Sequence, residues 1–275
     1  MKNFGTIYTK NDVLGEAMNT AQDYIAVFDS GVGGISVLRH LRRVMPGEKY
    51  LYFGDSANAP YGTKSKEEVK NLTFAAAEKL MESGIKALVV ACNTATSAAI
   101  SELRAAYPEL IVIGIEPALK LAVDRFPDGR IGVMATPMTL KEEKFARLMA
   151  RFAETCTVHK IPAPGLVELI ESGRADSTET EELLRSLFAP YIGQLDALVL
   201  GCTHYPFAAK AIGRVLGDGV ALLDGGDGTA RETKRRLQEA ALLEEGAGKL
   251  IITNSKDDPR FLALSEQLLR TMASP

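Results

Sequence analysis

Two short apolar runs, each ending in a cysteine, constrain this chain more than any other feature. Ala87-Leu88-Val89-Val90-Ala91-Cys92 is matched by Ala197-Leu198-Val199-Leu200-Gly201-Cys202 at an offset of 110 residues. A weaker echo of Ile25-Ala26-Val27-Phe28-Asp29-Ser30 stands at Ile131-Gly132-Val133-Met134-Ala135-Thr136, at an offset of 106. Short apolar runs closed by turn signals read as strands buried on both faces. Order and spacing agree between the two pairs, so the chain reads as two related α/β halves. Each would be an open parallel sheet covered by helices, and the pair pseudo-symmetric.

The first half opens at Tyr24-Ile25-Ala26-Val27-Phe28 and runs into Asp29-Ser30-Gly31-Val32-Gly33-Gly34, a glycine-rich turn before an amphipathic helix at about 35–44. Tyr50–Phe53 is the next strand, followed by a loop from Gly54 to Thr63. Ser65-Lys66-Glu67-Glu68 forms a capping box. Its helix continues to about Ser83, and Gly84 supplies the stop. Residues 1–24 are polar and without periodicity, and are read as an extension outside the first domain. Asp224-Gly225-Gly226-Asp227-Gly228 reads as a loop and return crossing. Ligands of open α/β sheets sit at the carboxyl ends of strands. Loops 29–34, 54–62, 92–96 and 202–206 all follow such ends. If the halves face each other, Cys92 and Cys202 approach one cleft from opposite sides.

Composition removes several classes of function. The chain has 275 residues, room for two domains of about 100–200 residues each. Its net charge is −3, and no basic block of five or more residues occurs, which argues against nucleic acid or a membrane surface as partner. Lys234-Arg235-Arg236 reads as the solvated face of a helix. No apolar run reaches the ~18 residues of a membrane span. Residues Met1 to Tyr24 lack the apolar stretch of a secretory signal. Three cysteines are an odd number and suggest no disulfide framework, so a reduced, cytoplasmic protein is expected. Cys-x-x-Cys and His-x-x-x-His spacings are absent, and His40, His159 and His204 are scattered, so no metal site is expected. Cys156 belongs to no polar constellation of the kind that surrounds the other two and reads as a small buried hydrophobe. The Ser30–Gly34 segment lacks the full dinucleotide fingerprint and reads as a tight turn or an anion site.

Two opposed thiols suit inversion of a Cα centre, which needs a base on one face and an acid on the other. Cysteine has a reference pKa near ~8.5, and neighbours lower it enough for a thiolate to exist at neutral pH. One cysteine must start as thiolate and the other as thiol, exchanging roles with the hand of the substrate. The Cα proton is weakly acidic, so hydrogen bonds to the substrate carboxylate must carry much of the barrier. Donors stand beside each cysteine: Asn93 and Thr94 after Cys92, Thr203 and His204 after Cys202. Asp29 is suited to hold a substrate ammonium or accept a thiol proton, and His204 to lower the pKa of Cys202.

Four segments in order resemble the signatures of the bacterial glutamate racemases, within the cofactor-independent two-cysteine Asp/Glu racemases. They are Asp29-Ser30-Gly31-Val32-Gly33-Gly34, Pro60-Tyr61-Gly62, Ala91-Cys92-Asn93-Thr94-Ala95 and Gly201-Cys202-Thr203-His204-Tyr205-Pro206. The resemblance spans about residues 25–230 and implies two α/β domains with the active site in the cleft between them. It implies interconversion of L- and D-glutamate without pyridoxal phosphate, supplying D-glutamate for peptidoglycan synthesis. By position, Cys92 would act on the D-enantiomer and Cys202 on the L-enantiomer. Asp29, Ser30, Tyr61, Gly62, Asn93, Thr94, Thr203 and His204 match substrate-contacting positions. Asp29, His204 and Glu171 match groups that assist the thiols, with Glu168 one helical turn away as the alternative to Glu171. The family implies a discontinuous first domain, 25–115 plus 225–270, enclosing a second, 116–224. Homodimers occur in it, and an N-terminal extension accompanies activation by UDP-N-acetylmuramoyl-L-alanine in some members. Two other readings stay open: a racemase of aspartate or a related acidic amino acid, and a non-catalytic ligand-binding or regulatory module.

Overall fold

The computed structural model describes residues 7–8, 23–152, 155–256 and 258–271. Within these the chain divides into two units. Unit 1 holds the described residues up to Tyr61, Ser65–Ile115 and those from Gly226 on; unit 2 holds Gly62–Lys64 and Glu116–Gly225.

Unit 1 is built from strands β1 (Ile7–Tyr8), β2 (Tyr24–Asp29), β3 (Lys49–Gly54), β4 (Ile85–Val90), β5 (Ile111–Gly114) and β10 (Lys249–Asn254). They form one sheet in the order β1-β10-β3-β2-β4-β5, every pair parallel. Its helices are α1 (Ile35–Val44), α2 (Lys66–Met81), α3 (Asn93–Ala106), α10 (Gly226–Glu239) and α11 (Pro259–Thr271). α2 starts where Ser65 and Glu68 close the expected capping box, each side chain bonding the other's backbone N–H. β2 is buried along its whole length, as a central strand covered on both faces must be.

Unit 2 repeats the plan. Strands β6 (Arg130–Ala135), β7 (Thr157–Pro162), β8 (Ala197–Leu200) and β9 (Ala221–Asp224) form a parallel sheet in the order β7-β6-β8-β9. This matches β3-β2-β4-β5 of unit 1 strand for strand. The registers match too: Ile25 pairs with Ala87, and Ile131 with Ala197. The helices are α4 (Leu119–Arg125), α5 (Pro137–Lys141), α6 (Glu143–Ala150), α7 (Leu166–Glu171), α8 (Thr178–Phe188) and α9 (Ala209–Leu216). Successive strand residues face opposite sides of a sheet. Thus Met134, Leu198 and Leu200 join one apolar cluster with Leu166, Leu184 and Ile212 of α7, α8 and α9. Ile131, Val133 and Val199 join another with Leu119 and Phe145 of α4 and α6.

Two local expectations are corrected. The segment before Tyr24 is not wholly outside the first domain, because Ile7 and Tyr8 pair with Leu250 and Ile251 at the edge of the sheet. Two residues are too few to show a strand's alternation, so the sequence carried no signal of it. The segment 224–228 holds the return crossing, since unit 2 ends at Gly225 and unit 1 resumes at Gly226, but it is not a loop. β9 ends at Asp224 and α10 begins at Gly226, with Asp227 in its first turn, where a carboxylate favours the helix dipole. The Lys234–Arg236 run lies on α10; Arg235 is exposed and paired with Glu232 and Glu239. Cys156 is only partly buried, and its thiol donates to the Phe152 carbonyl. Among the described residues no helix is long and apolar enough to cross a membrane.

Candidate active site

In unit 1, β2 and β4 are neighbours, so their carboxyl ends bring Asp29-Ser30 beside Ala91-Cys92. Cys92 is buried and takes the N-cap position of α3 with extended backbone angles. Its sulfur accepts the Ala95 N–H at 3.5 Å, and its thiol donates to Ser30 Oγ at 3.6 Å. A helix N-terminus favours negative charge, so this placement stabilises a thiolate. Asp29 is fully buried, and its Oδ1 accepts the Gly31 N–H at 3.0 Å. Gly34 lies so close that a Cβ there would stand 2.6 Å from the Asp29 Cβ, so the α1 N-terminus crosses Asp29 only as glycine. Asn93 and Thr94, in the first turn of α3, are buried. Asn93 Oδ1 accepts no hydrogen bond among the described residues. A buried acceptor of this kind is costly unless a donor reaches it.

Tyr61 follows the cis Ala59–Pro60 peptide and packs its ring on Phe28. Its hydroxyl donates to Asp55 Oδ2 at 2.7 Å, and the Asn58 amide donates to both Asp55 oxygens. Burial, the bond to Asp55 and the nearby charges of Asp55, Cys92 and Asp29 push the Tyr61 phenol far above its ordinary range, so it stays a donor. Gly62, the next residue, belongs to unit 2 and is crowded by Thr136, whose Cβ would be 2.8 Å from an added Cβ.

In unit 2 the matching strand end carries Cys202, Thr203 and His204, all buried. Gly201 N–H donates to the Met134 carbonyl at 2.7 Å and locks this end of β8 against β6. Cys202 Sγ lies 3.8 Å from His204 Nδ1, and His204 Nε2 lies 3.0 Å from Glu171 Oε1. Thiol, imidazole and carboxylate thus form one line. Burial alone would keep His204 neutral, but the bonds and charges of Cys202 and Glu171 outweigh it and hold the imidazole well above its usual pKa. Glu171, at the end of α7, is the carboxylate that reaches His204; Glu168 instead adds its charge near the buried Tyr205 hydroxyl.

The two half-sites handle protons by unlike means. The position of Asp29 is occupied by Ala135 in the repeat, and that of Ser30 by Thr136, the N-cap of α5. The end of β6 therefore carries no carboxylate, and the one behind Cys202 comes from α7 through an imidazole. Each thiol has a hydrogen-bonded partner, which is what reversible proton transfer requires. Among the described residues no group of three or more His, Cys, Asp or Glu is arranged to hold a metal ion. Sequence reasoning passed over Asp55. The available signal was its place at a strand end, Gly54-Asp55, one residue past the register partner of Asp29.

Residues 34–233 match the family model of Asp/Glu/hydantoin racemases. The chain is 51% identical to the glutamate racemase of Clostridium acetobutylicum, over 92% of this chain and 99% of that protein. The crystal structure of a Bacillus anthracis glutamate racemase isoform superposes with a TM-score of 0.82 at 32% identity, covering 90% of this chain and 94% of that one. The Escherichia coli glutamate racemase, in complex with L-glutamate and the activator UDP-MurNAc-Ala, gives a TM-score of 0.79 at 31% identity, covering 90% and 96%. The chain belongs to the Asp/Glu/hydantoin racemase family.

Proposed function

We propose that this chain is a glutamate racemase, an isomerase that inverts glutamate at Cα by proton transfer between two thiols. The substrate assignment is supported by relatives named glutamate racemase at about half identity over nearly the whole chain. The observation that carries the mechanism is that both repeat-related cysteines stand at strand ends, each with its own proton-handling partner. One such group would serve many reactions, whereas inversion needs two.

With L-glutamate, the Cys202 thiolate removes the Cα proton and becomes a thiol, leaving a carbanion conjugated with the substrate carboxylate. The Cys92 thiol then delivers its proton to the opposite face, giving D-glutamate and a Cys92 thiolate. The reverse reaction starts from that thiolate. His204, held by Glu171, stabilises the charge on Cys202. The α3 N-terminus and Ser30 do so for Cys92, with Asp29 beside them. The orphan Asn93 Oδ1 is suited to accept from the substrate ammonium. Thr94, Thr203, Ser30 and the backbone at Gly62 supply donors for the carboxylates, and Tyr61, whose proton goes to Asp55, meets substrate with its hydroxyl oxygen as an acceptor.

The product then serves peptidoglycan synthesis in the cytoplasm. The Escherichia coli relative, bound to UDP-MurNAc-Ala, supports testing that compound as an activator here. Pairing into a homodimer belongs to the same reading and is checked by sedimentation.

The test is exchange of the Cα proton in D₂O from L- and from D-glutamate, without added cofactor. Racemisation with deuterium incorporation, lost in Cys92→Ala and in Cys202→Ala, is the expected result. Activity only with the precursor would make the activator obligatory, and activity only on aspartate would move the substrate. Silence on both amino acids, with the precursor present, would overturn the racemase reading.

A further inference from the structure

The carboxyl end of β10 carries polar residues that have no part in the chemistry above, and they lie beyond residue 233, where the family match ends. Asn254 is the register partner of Gly54 and is buried. Its Nδ2 donates to Ser56 Oγ at 2.9 Å, and its Oδ1 accepts the Lys256 N–H at 2.9 Å. The Ser255 N–H donates to the Gly54 carbonyl at 2.9 Å, and Ser255 Oγ accepts the Ala57 N–H at 2.8 Å. A Cβ on Gly54 would stand 2.3 Å from the Gly31 carbonyl oxygen and 3.0 Å from Asn254 Nδ2. The end of β10 therefore grips the segment 54–57 by three hydrogen bonds, at the point where that segment is pressed on the loop after Asp29.

From there the connections lead to the candidate site. The Asp55 N–H donates to the Asp29 carbonyl at 2.8 Å, and the Asp55 carboxylate takes the Asn58 amide and the Tyr61 hydroxyl. We propose that Asn254 and Ser255 are positioning residues of the racemase, which hold the 54–61 loop so that Asp55 fixes Tyr61 where it meets substrate. Neither residue touches the thiols or their partners. They act on the aim of a binding group, where displacements of ~0.5 Å already matter. A polar residue at this depth is retained only where its hydrogen bonds are satisfied, and all four polar groups just described for Asn254 and Ser255 are.

The inference rests on the racemase reading, and the experiment separates the two. Asn254→Ala removes a buried neutral hydrogen bond and Ser255→Ala a more exposed one, so KM for glutamate should rise roughly 3–10-fold, more in the first, while kcat changes less. Ser255→Thr keeps the hydroxyl acceptor and should restore KM. Backbone hydrogen exchange should quicken in 54–61 of the alanine variants and stay as in wild type across 92–96. Unchanged KM with only a lowered melting temperature, or exchange quickened equally in both segments, would reduce the residues to structural ones and overturn the proposal. If the wild type itself fails to racemise, the racemase reading falls. The exchange pattern then decides alone whether β10 holds the loop.

Discussion

Replacing Glu171 with glutamine isolates the contribution of one charge. The side chain keeps its length and can still bond His204 Nε2, now 3.0 Å from Glu171 Oε1. What it loses is the negative charge facing a buried imidazole, with side-chain exposures of 4% for His204 and 19% for Glu171. A hydrogen bond to a charged group is worth about 1.5–3 kcal/mol and the neutral one that remains about 0.5–1.5, so the lost charge amounts to about 1–1.5 kcal/mol. At ~1.4 kcal/mol per tenfold, the step that uses Cys202 should slow roughly 5–12-fold. Racemisation has an equilibrium constant of unity, so kcat/KM must fall equally in both directions, and the fall alone does not locate the affected step. Deuterium at Cα does. With Cys202 removing the proton of L-glutamate, Glu171→Gln makes that removal more rate-limiting. The isotope effect on kcat/KM should grow for L-[2-²H]glutamate and shrink towards one for the D-enantiomer. Circular dichroism at a far-ultraviolet wavelength follows both reactions. An unchanged kcat/KM, or an isotope effect that grows for the D-enantiomer instead, would refute the placing of Glu171 behind Cys202.

Other perturbations follow from the same structure. Gly54→Ala would put a methyl group against the Gly31 carbonyl, a backbone atom with little room to yield, and should cost about 1–3 kcal/mol in a melting experiment. Lys86→Met leaves the fully buried Glu48 carboxylate without the ammonium 2.7 Å away. It should lower stability by about 3–5 kcal/mol in urea, with partial recovery in Lys86→Met/Glu48→Gln. His204 has a folded-state pKa raised above its unfolded value by Cys202 and Glu171, against the opposing effect of burial. Its stabilisation is therefore complete below about pH 6.5 and is lost as the pH rises through the folded value. The stability difference between wild type and His204→Asn should shrink as the pH is raised above that point, and a growing difference would contradict the assignment.

The plan of the molecule was legible because its signals are local. A parallel strand buried on both faces is a continuous apolar run, and in an open α/β sheet the residues next in sequence stand at the ligand-facing end. Cys92 and Cys202, with Asn93, Thr94, Thr203 and His204 behind them, could be placed from that rule and the 110-residue repeat. The capping box at Ser65 and Glu68 was legible for the same reason, since all its atoms lie within one helical turn. Asp55 and Asn254 were not, because their meaning comes from contacts their sequence neighbours do not announce. Asn254 bonds Ser56, 198 residues away, only because β10 returns to pair with β3.

Glu168 and Glu171 show where sequence stops. Three residues apart on α7, they have the same chemistry and nearly the same helical face, and nothing local ranks them. The packing of α7 beside the end of β8 brings Glu171 to His204. By itself the sequence determined the element types, the repeat and the two thiols, since hydrophobic period and turn residues act over a few positions. Only the tertiary structure decided which carboxylate stands behind which thiol, that Ile7 and Tyr8 close a sheet edge, and what holds the Tyr61 loop. Those outcomes depend on strand order and helix packing, where a displacement of one turn changes every partner.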